Sequence, residues 1–300
     1  MMISVAMATY NGEKYLQKQL DSILRQSVQD IEIIICDDCS TDKTWEILQK
    51  NASEDSRIHC YQNEQNLGFK KNFEKAISLC KGKFVALSDQ DDIWESTHLE
   101  HLLQNIQDHD IACGDAILIN GEDQKIGTTL SKADFLYDCP TKPLDFAYRI
   151  FYNNSCFQGA SMLIRSEFLQ TALPIPQDVL YHDTWFAALA CFNNGIVYTK
   201  DIVTRHRIHD TNVSHRPHWR CLFHLLRFKR NRARKDRIPL AEAIRQRSSI
   251  LSPDQEHFLN YTIQYRDNRT SQFGRLKNFL FRLKHYHAIY TTNRKIFIEW

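Results

Sequence analysis

The chain has 300 residues, 43% of them hydrophobic and 25% charged. This composition excludes a disordered protein, which lacks the apolar residues needed to offset chain entropy, and no run of about 18 apolar residues is present to form a spanning helix. The formal net charge of +2 conceals a division: residues 1–215 carry 19 basic against 30 acidic side chains, and residues 216–300 carry 19 against 6.

Ile3 to Met7 is a short apolar run, and the turn at Asn11-Gly12 follows it. Without a basic segment before that run, no signal peptide is expected. Tyr15, Leu16, Leu20, Ile23 and Leu24 recur at helical spacing. Ile31 to Cys36 predicts a second strand ending at Asp37-Asp38, with Ser40 or Thr41 placed to cap a helix bearing Trp45, Ile47 and Leu48. A third strand is expected at Ile58 to Tyr61, a helix at Phe69 to Leu79 and a fourth strand at Lys83 to Leu87. Strands separated by helices predict right-handed βαβ units and a parallel sheet covered on both faces. Further on, Ile111 to Ile119 and Ser161 to Arg165 read as strands and Thr184 to Phe192 as a helix. Nine cysteines, odd in number and without CxxC pairs, read as reduced thiols in a cytoplasmic protein.

Polar clusters follow three strand ends: Thr9-Tyr10-Asn11, Asp37-Asp38 and Asp89-Gln90-Asp91-Asp92. Ligands of open α/β sheets bind beyond the carboxyl ends of the strands, so one cleft is expected to collect these carboxylates. GxGxxG and GxxxxGK[ST] are both absent, which argues against dinucleotide-dependent oxidoreductases and P-loop enzymes. Residues 88–94 read SDQDDIW, three carboxylates in four positions. Such charges repel one another unless a cation sits among them, and alternate residues of an extended segment turn the same way, so Asp89 and Asp91 can share a pocket for Mg²⁺ or Mn²⁺. A solvated acidic turn, or Asp92 capping a helix, is the other reading.

Residues 2–215 resemble the family 2 glycosyltransferases of the GT-A fold, closest to bacterial rhamnosyltransferase-like members. The motifs that carry the resemblance are Ser4 to Gly12, Asp37-Asp38-Cys39-Ser40-Thr41-Asp42 (the family's DDxSxD), Asn63 to Gly68, and Ser88 to Trp94. The implied fold is a mixed, mostly parallel α/β sheet flanked by helices over residues 1–215, with a basic, mostly helical C-terminal region over 216–300. The implied donor site draws on Thr9, Tyr10, Asn11 and Glu13, with Asp38 accepting from the base N3–H. Tyr10 either stacks on the base or packs, and Asp38 could instead cap a helix. Asp89 is expected on the ribose side, and Asp91 is expected to hold the metal together with Asp89.

His182-Asp183-Thr184-Trp185 matches the place of the family's general base. Asp183 there would take the proton of an acceptor hydroxyl in a single inverting displacement, worth about 10²–10⁴-fold in rate; a helix N-cap is the alternative. Phe157 to Arg165 resembles the small-residue strand beneath the acceptor, with Gly159 allowing close approach. Arg207-Ile208-His209-Asp210-Thr211-Asn212-Val213-Ser214 resembles an RxHxxNxS segment. It implies His209 at the metal or the diphosphate and Arg207 neutralising phosphate.

Residues 216–247 hold 11 Lys and Arg against 2 acidic residues. Trp219, Leu222, Phe223 and Leu226 fall on one helical face there, and Leu276, Phe279, Leu280 and Leu283 form a second amphipathic stretch. The tail either lies on an anionic membrane surface, consistent with a lipid-linked saccharide acceptor at the inner leaflet, or packs on the catalytic domain. Nucleic acid is not an expected partner, because no recognised motif accompanies the charge. The sequence thus describes a cytoplasmic transferase that moves a sugar, with dTDP-rhamnose the donor implied by resemblance, to a glycan or lipid-linked saccharide. A nucleotidyltransferase-like protein or a degenerate sugar-nucleotide binder is the alternative.

Overall fold

A computed structural model describes residues 1–133, 142–152, 157–209, 237–248, 250–264, 280, 281 and 284. These fall into two compact units. The first takes in residues 1–133, 157–175 and 196–209. It contains β1 (Ile3–Thr9), α1 (Leu16–Leu24), β2 (Ile31–Asp37), α2 (Thr44–Glu54), β3 (Ile58–Gln62), α3 (Phe69–Leu79), β4 (Phe84–Ser88) and β5 (Ile93–Trp94). It continues with α4 (His98–Ile106), β6 (Ile111–Ile119), β7 (Lys125–Thr129), α5 (Leu130–Ala133), β8 (Met162–Arg165), α7 (Ser166–Ala172) and β9 (Ile196–Arg207).

The nine strands of the described residues form one sheet in the order β3-β2-β1-β4-β8-β6-β9-β5, with β7 paired to β6 off that path. β1, β2, β3 and β4 are parallel, as their spacing by helices predicts. β8 then runs antiparallel between β4 and β6, and β9 returns parallel to β6. β2 is buried at every position and β1 at all but one, because both faces of this part of the sheet are covered by helices. Ile3, Val5, Ile33 and Ile35 pack with Leu16, Leu20 and Ile23 of α1 in the main core.

Two local expectations are corrected. α2 begins at Thr44, and neither Ser40 nor Thr41 caps it. The Ser40 hydroxyl donates to Asp37 instead, and the Thr44 N–H donates to Asp42 Oδ1 at 3.0 Å. The helix after the expected base motif starts at His182 rather than Thr184, so Asp183 lies inside its first turn and is not its N-cap.

The second unit takes in described residues from 142–152, 176–195 and the chain beyond 236. Its helices are α6 (Pro143–Tyr152), α8 (His182–Ala190), α9 (Arg237–Arg247) and α10 (Pro253–Gln264). The Phe258 ring of α10 is fully buried and stands edge-on to Tyr148 and Phe151 of α6, with centroids 4.7 and 5.2 Å away. The Tyr152 and Thr262 hydroxyls are 2.8 Å apart. The boundary expected at 215, the first amphipathic stretch of the tail, and most of the second lie outside the described residues. No helix among the described residues is long and apolar enough to cross a membrane. Among the described cysteines, Cys36 and Cys191 are buried free thiols, and Cys39, Cys60 and Cys80 are partly buried ones.

Candidate active site

The loops after β1, β2 and β4 meet at the carboxyl edge of the sheet, and β9 brings a fourth segment to the same edge. The loop after β1 is joined to the loop after β2 by a row of hydrogen bonds. Asn11 N–H donates to Ser40 Oγ at 2.9 Å, and Thr41 N–H returns to Asn11 Oδ1 at 2.8 Å. Gly12 N–H reaches Thr44 Oγ1 at 2.7 Å, and Lys43 N–H reaches Glu13 Oε2 at 3.0 Å. Asn11 and Glu13 therefore fasten one loop to the other. Asn11 and Cys39 both take left-handed backbone conformations at φ 48° and 64°, which asparagine tolerates through local polar bonding.

Thr9, expected to line a base pocket, is 1% exposed, and its hydroxyl donates to Asp37 Oδ1 at 3.0 Å. It supports the rim from beneath, since Thr9 and Asp37 are register partners of β1 and β2 whose side chains share one face of the sheet. Tyr10 is on the rim, 47% exposed. Asp38 is buried and anchors the 63–68 segment. Its Oδ1 accepts Leu67 N–H at 2.7 Å and Asn63 Nδ2 at 2.8 Å, while Oδ2 accepts Gly68 N–H at 2.9 Å. Gly68 holds φ 80° there as it opens α3, a conformation that costs glycine nothing. Beneath Asp38, Asn63 Nδ2 donates to Asn72 Oδ1, and Asn72 Nδ2 donates to the Cys36 carbonyl. The part of Asn72 in this network was not visible in the sequence, because it lies outside the 63–68 motif and its partners are separated along the chain.

The loop after β4 divides its carboxylates by depth. Asp89 and Asp91 are half-buried, and Asp92 is fully buried. His209 Nε2 lies 2.7 Å from Asp91 Oδ2, so the sequence-predicted pair is brought together by β9. Asp92 does not cap a helix. Its Oδ1 accepts Arg207 N–H and lies 2.9 Å from His206 Nδ1, and its Oδ2 accepts Gln158 Nε2 at 3.4 Å. Burial opposes protonation of His206, but the Asp92 carboxylate, with Asp91 and Asp89 behind it, outweighs burial and raises the pKa to about 9.

Arg207 departs from expectation. Its side chain has no exposed surface. Nε donates to the Asp91 carbonyl at 2.6 Å, Nη1 donates to the Asn120 carbonyl at 2.9 Å and pairs with Asp123 at 2.5 Å, and the guanidinium lies 4.4 Å over the Tyr15 ring. It thus clamps the loop after β4 to the β6–β7 turn rather than facing a phosphate, because its partners Asp123 and Asn120 enclose it. Burial works against ionisation of Asp123, but Lys18 and Arg207 hold its carboxyl below the usual range.

Among the described residues no group of three His, Cys, Asp or Glu side chains could hold a metal. Asp91 and His209 nevertheless offer a carboxylate oxygen and an imidazole nitrogen, a donor set that suits Mn²⁺ or Mg²⁺ when diphosphate oxygens and water complete the shell. In the second unit, Asp183 is half-buried, and its Oδ1 accepts Thr184 N–H at 2.5 Å. Burial of the neighbouring His182 lowers its pKa, with Asp183 pulling the other way.

Residues 4–172 match the model of glycosyl transferase family 2, and the chain belongs to that family. A UDP-Glc:α-D-GlcNAc-diphosphoundecaprenol β-1,3-glucosyltransferase of Escherichia coli is 38% identical over 100 residues, 33% of this chain and 39% of the relative. The match thus spans about two fifths of that relative's length. TarS of S. aureus, solved in complex with UDP, superposes with a TM-score of 0.60 at 20% identity over 94% of this chain and 75% of that one. A mannosyltransferase of Pyrobaculum calidifontis, in complex with GDP-Man and Mn²⁺, gives 0.54 at 16% identity over 95% and 73%. These structures show the GT-A fold, with its mixed, mostly parallel sheet and flanking helices.

Proposed function

We propose that the protein is a metal-dependent, inverting glycosyltransferase that moves a sugar from a nucleotide donor to a hydroxyl of a glycan or lipid-linked saccharide in cell-surface polysaccharide synthesis. The observation that carries this reading is the Asp91–His209 pair, in the loop after β4 that Gln90 ties to the loop after β1. Asp91 and His209 would hold Mn²⁺ or Mg²⁺, which when bound offsets the diphosphate charge and steadies it as a leaving group. Tyr10 lies on the rim for the base, Asp89 serves the ribose side, and buried Asp38 keeps the 63–68 segment in place. Asp183 takes the proton of the acceptor hydroxyl as that oxygen attacks the anomeric carbon and the bond to the diphosphate breaks. No motif supplies a nucleophile for a double displacement.

The resemblance favours dTDP-rhamnose, and the relative named for UDP-Glc and the complex of TarS with UDP put uridine donors beside it. Thermal unfolding with UDP, dTDP, GDP and their sugars, each with Mn²⁺ or EDTA, tests the reading. Binding to the native state raises Tm with ligand concentration over Kd, so at least one nucleotide should raise it, and by more with Mn²⁺. No shift from any of them would overturn the assignment.

The basic stretch of 216–247 fits peripheral attachment to the inner face of the cell membrane, where each basic residue near an anionic surface contributes about 1 kcal/mol. Replacing Arg227, Lys229, Arg230 and Arg232 by Gln should abolish co-sedimentation with anionic vesicles; unchanged sedimentation would show that the stretch does not bind lipid.

A further inference from the structure

The side chain of Gln90, between the two carboxylates assigned to the ribose and the metal, makes a two-point contact with one residue of the facing loop. Tyr10 N–H donates to Gln90 Oε1 at 2.8 Å, and Gln90 Nε2 donates to the Tyr10 carbonyl at 3.0 Å. A neighbouring strand offers the same donor and acceptor pair to a residue in a ladder. β1 and β4 pair from Ile3↔Phe84 to Met7↔Ser88. Past Ser88 the Gln90 amide stands in for the ladder and carries its grip to Tyr10, beyond the end of β1.

Gly12 makes room for this. A Cβ at Gly12 would sit 2.2 Å from Gln90 Oε1 and 2.5 Å from Gln90 Cδ. The obstruction would be the far end of a flexible side chain, so an added methyl would push the amide away without disturbing backbone. Gln90 and Gly12 therefore form one device with one output, the fixed backbone of Tyr10, whose ring is half exposed at the rim. A fixed, exposed aromatic beside the carboxylates is suited to stacking on a nucleobase.

We infer that Gln90 is a positioning residue for donor binding: it holds Tyr10 as a base platform and ties that platform to the metal loop, with Gly12 as its steric complement. The inference rests on the nucleotide-sugar reading above. It separates two contributions at one rim. Asp91 governs turnover, whereas Gln90 governs nucleotide affinity, and it does so even with no metal present.

The test compares wild type, Gln90→Ala, Gly12→Ala and the double variant by calorimetric titration with UDP, dTDP and GDP in EDTA, followed by steady-state donor turnover with Mn²⁺. Two hydrogen bonds of ordinary worth predict a loss of affinity of about tenfold for either single variant. Because both substitutions break the same clasp, the double variant should be no weaker than the weaker single one. Donor KM should rise by a similar factor while kcat stays within about twofold, a split that general loss of structure would not produce. Wild-type affinity within twofold in Gln90→Ala, or effects that multiply in the double variant, would overturn the inference while leaving the transferase reading intact. Failure of wild type to bind any of the three nucleotides would overturn both.

Discussion

His206 Nδ1 lies 2.9 Å from Oδ1 of Asp92, a carboxylate with no exposed surface, and the same oxygen accepts the main-chain N–H of Arg207. The last carboxylate of the acidic motif thus holds the end of β9 against the loop after β4. Removing one member of a buried pair leaves the other desolvated and uncompensated, at a cost of about 3–5 kcal/mol. Asp92→Ala should lose about that much stability in urea unfolding. A loss under 1 kcal/mol would mean that the pair is dispensable.

Asp91 and His209 meet at the rim rather than in the core, so their replacement should act on chemistry. Asp91→Asn and His209→Ala are expected to lower metal-dependent donor turnover by about 10²-fold or more, with Tm held within a few degrees. Near-normal turnover of Asp91→Asn in Mn²⁺ would remove the pair from the site.

Asp38 accepts the N–H groups of Leu67 and Gly68. In Asp38→Ala those amides lose their acceptor, and their hydrogen exchange should accelerate at least about tenfold, since one hydrogen bond is worth about 1 kcal/mol or more when its acceptor is charged. Amide-resolved exchange measures this directly. Unchanged protection would show that the 63–68 segment is held by other means.

Two histidines give the stability profile opposite slopes. His98 is fully buried, stacked 3.9 Å from Trp94, with Nδ1 2.9 Å from the Val203 carbonyl, and burial lowers its pKa to about 3. Below the unfolded value of about 6.5 the unfolded chain binds the extra proton, so stability should fall by about 1.4 kcal/mol per pH unit from near 6.5 toward 3. His206, raised to about 9, contributes stability that is complete below 6.5 and lost as pH rises through 9. Urea midpoints from pH 4 to 10 should therefore peak near 6.5. His98→Gln should make the acid arm shallower, with buried His182 keeping part of it, and an acid arm as steep as that of wild type would assign the effect elsewhere.

Phe258 is the ring around which Tyr148, Phe151, Tyr152 and Phe192 gather. Phe258→Ala should cost about 3–5 kcal/mol. Truncation after residue 215 should be worse still, giving aggregated protein on size-exclusion chromatography, because it strips α10 from the aromatics of α6. A monodisperse truncated chain with native circular dichroism would refute this.

The first four strands were legible because parallel strands covered on both faces are continuous apolar runs, and Phe69–Leu79 and Ile111–Ile119 fall where periodicity puts them. The strand at 161–165 was legible too, but its place between β4 and β6 was not, since a short apolar run does not say which strands it pairs with. At the candidate site, motif order singled out Asp38, Asp91 and His209 but could not assign depth. Thr9 and Arg207 look like contact residues in sequence, yet Asp37, Asn120 and Asp123 enclose them. The clasp of Gln90 on Tyr10 escaped notice for the same reason, as its partners are 80 positions apart.

The helical unit draws on separated stretches of the chain, with α6 and α8 made before α10. During synthesis, Tyr148, Phe151 and Tyr152 emerge from the ribosome well before the ring that closes over them. Until Phe258 arrives this aromatic surface is open to other nascent chains, so the unit completes its fold only once α10 has been made, and slower elongation before α10 prolongs that exposure.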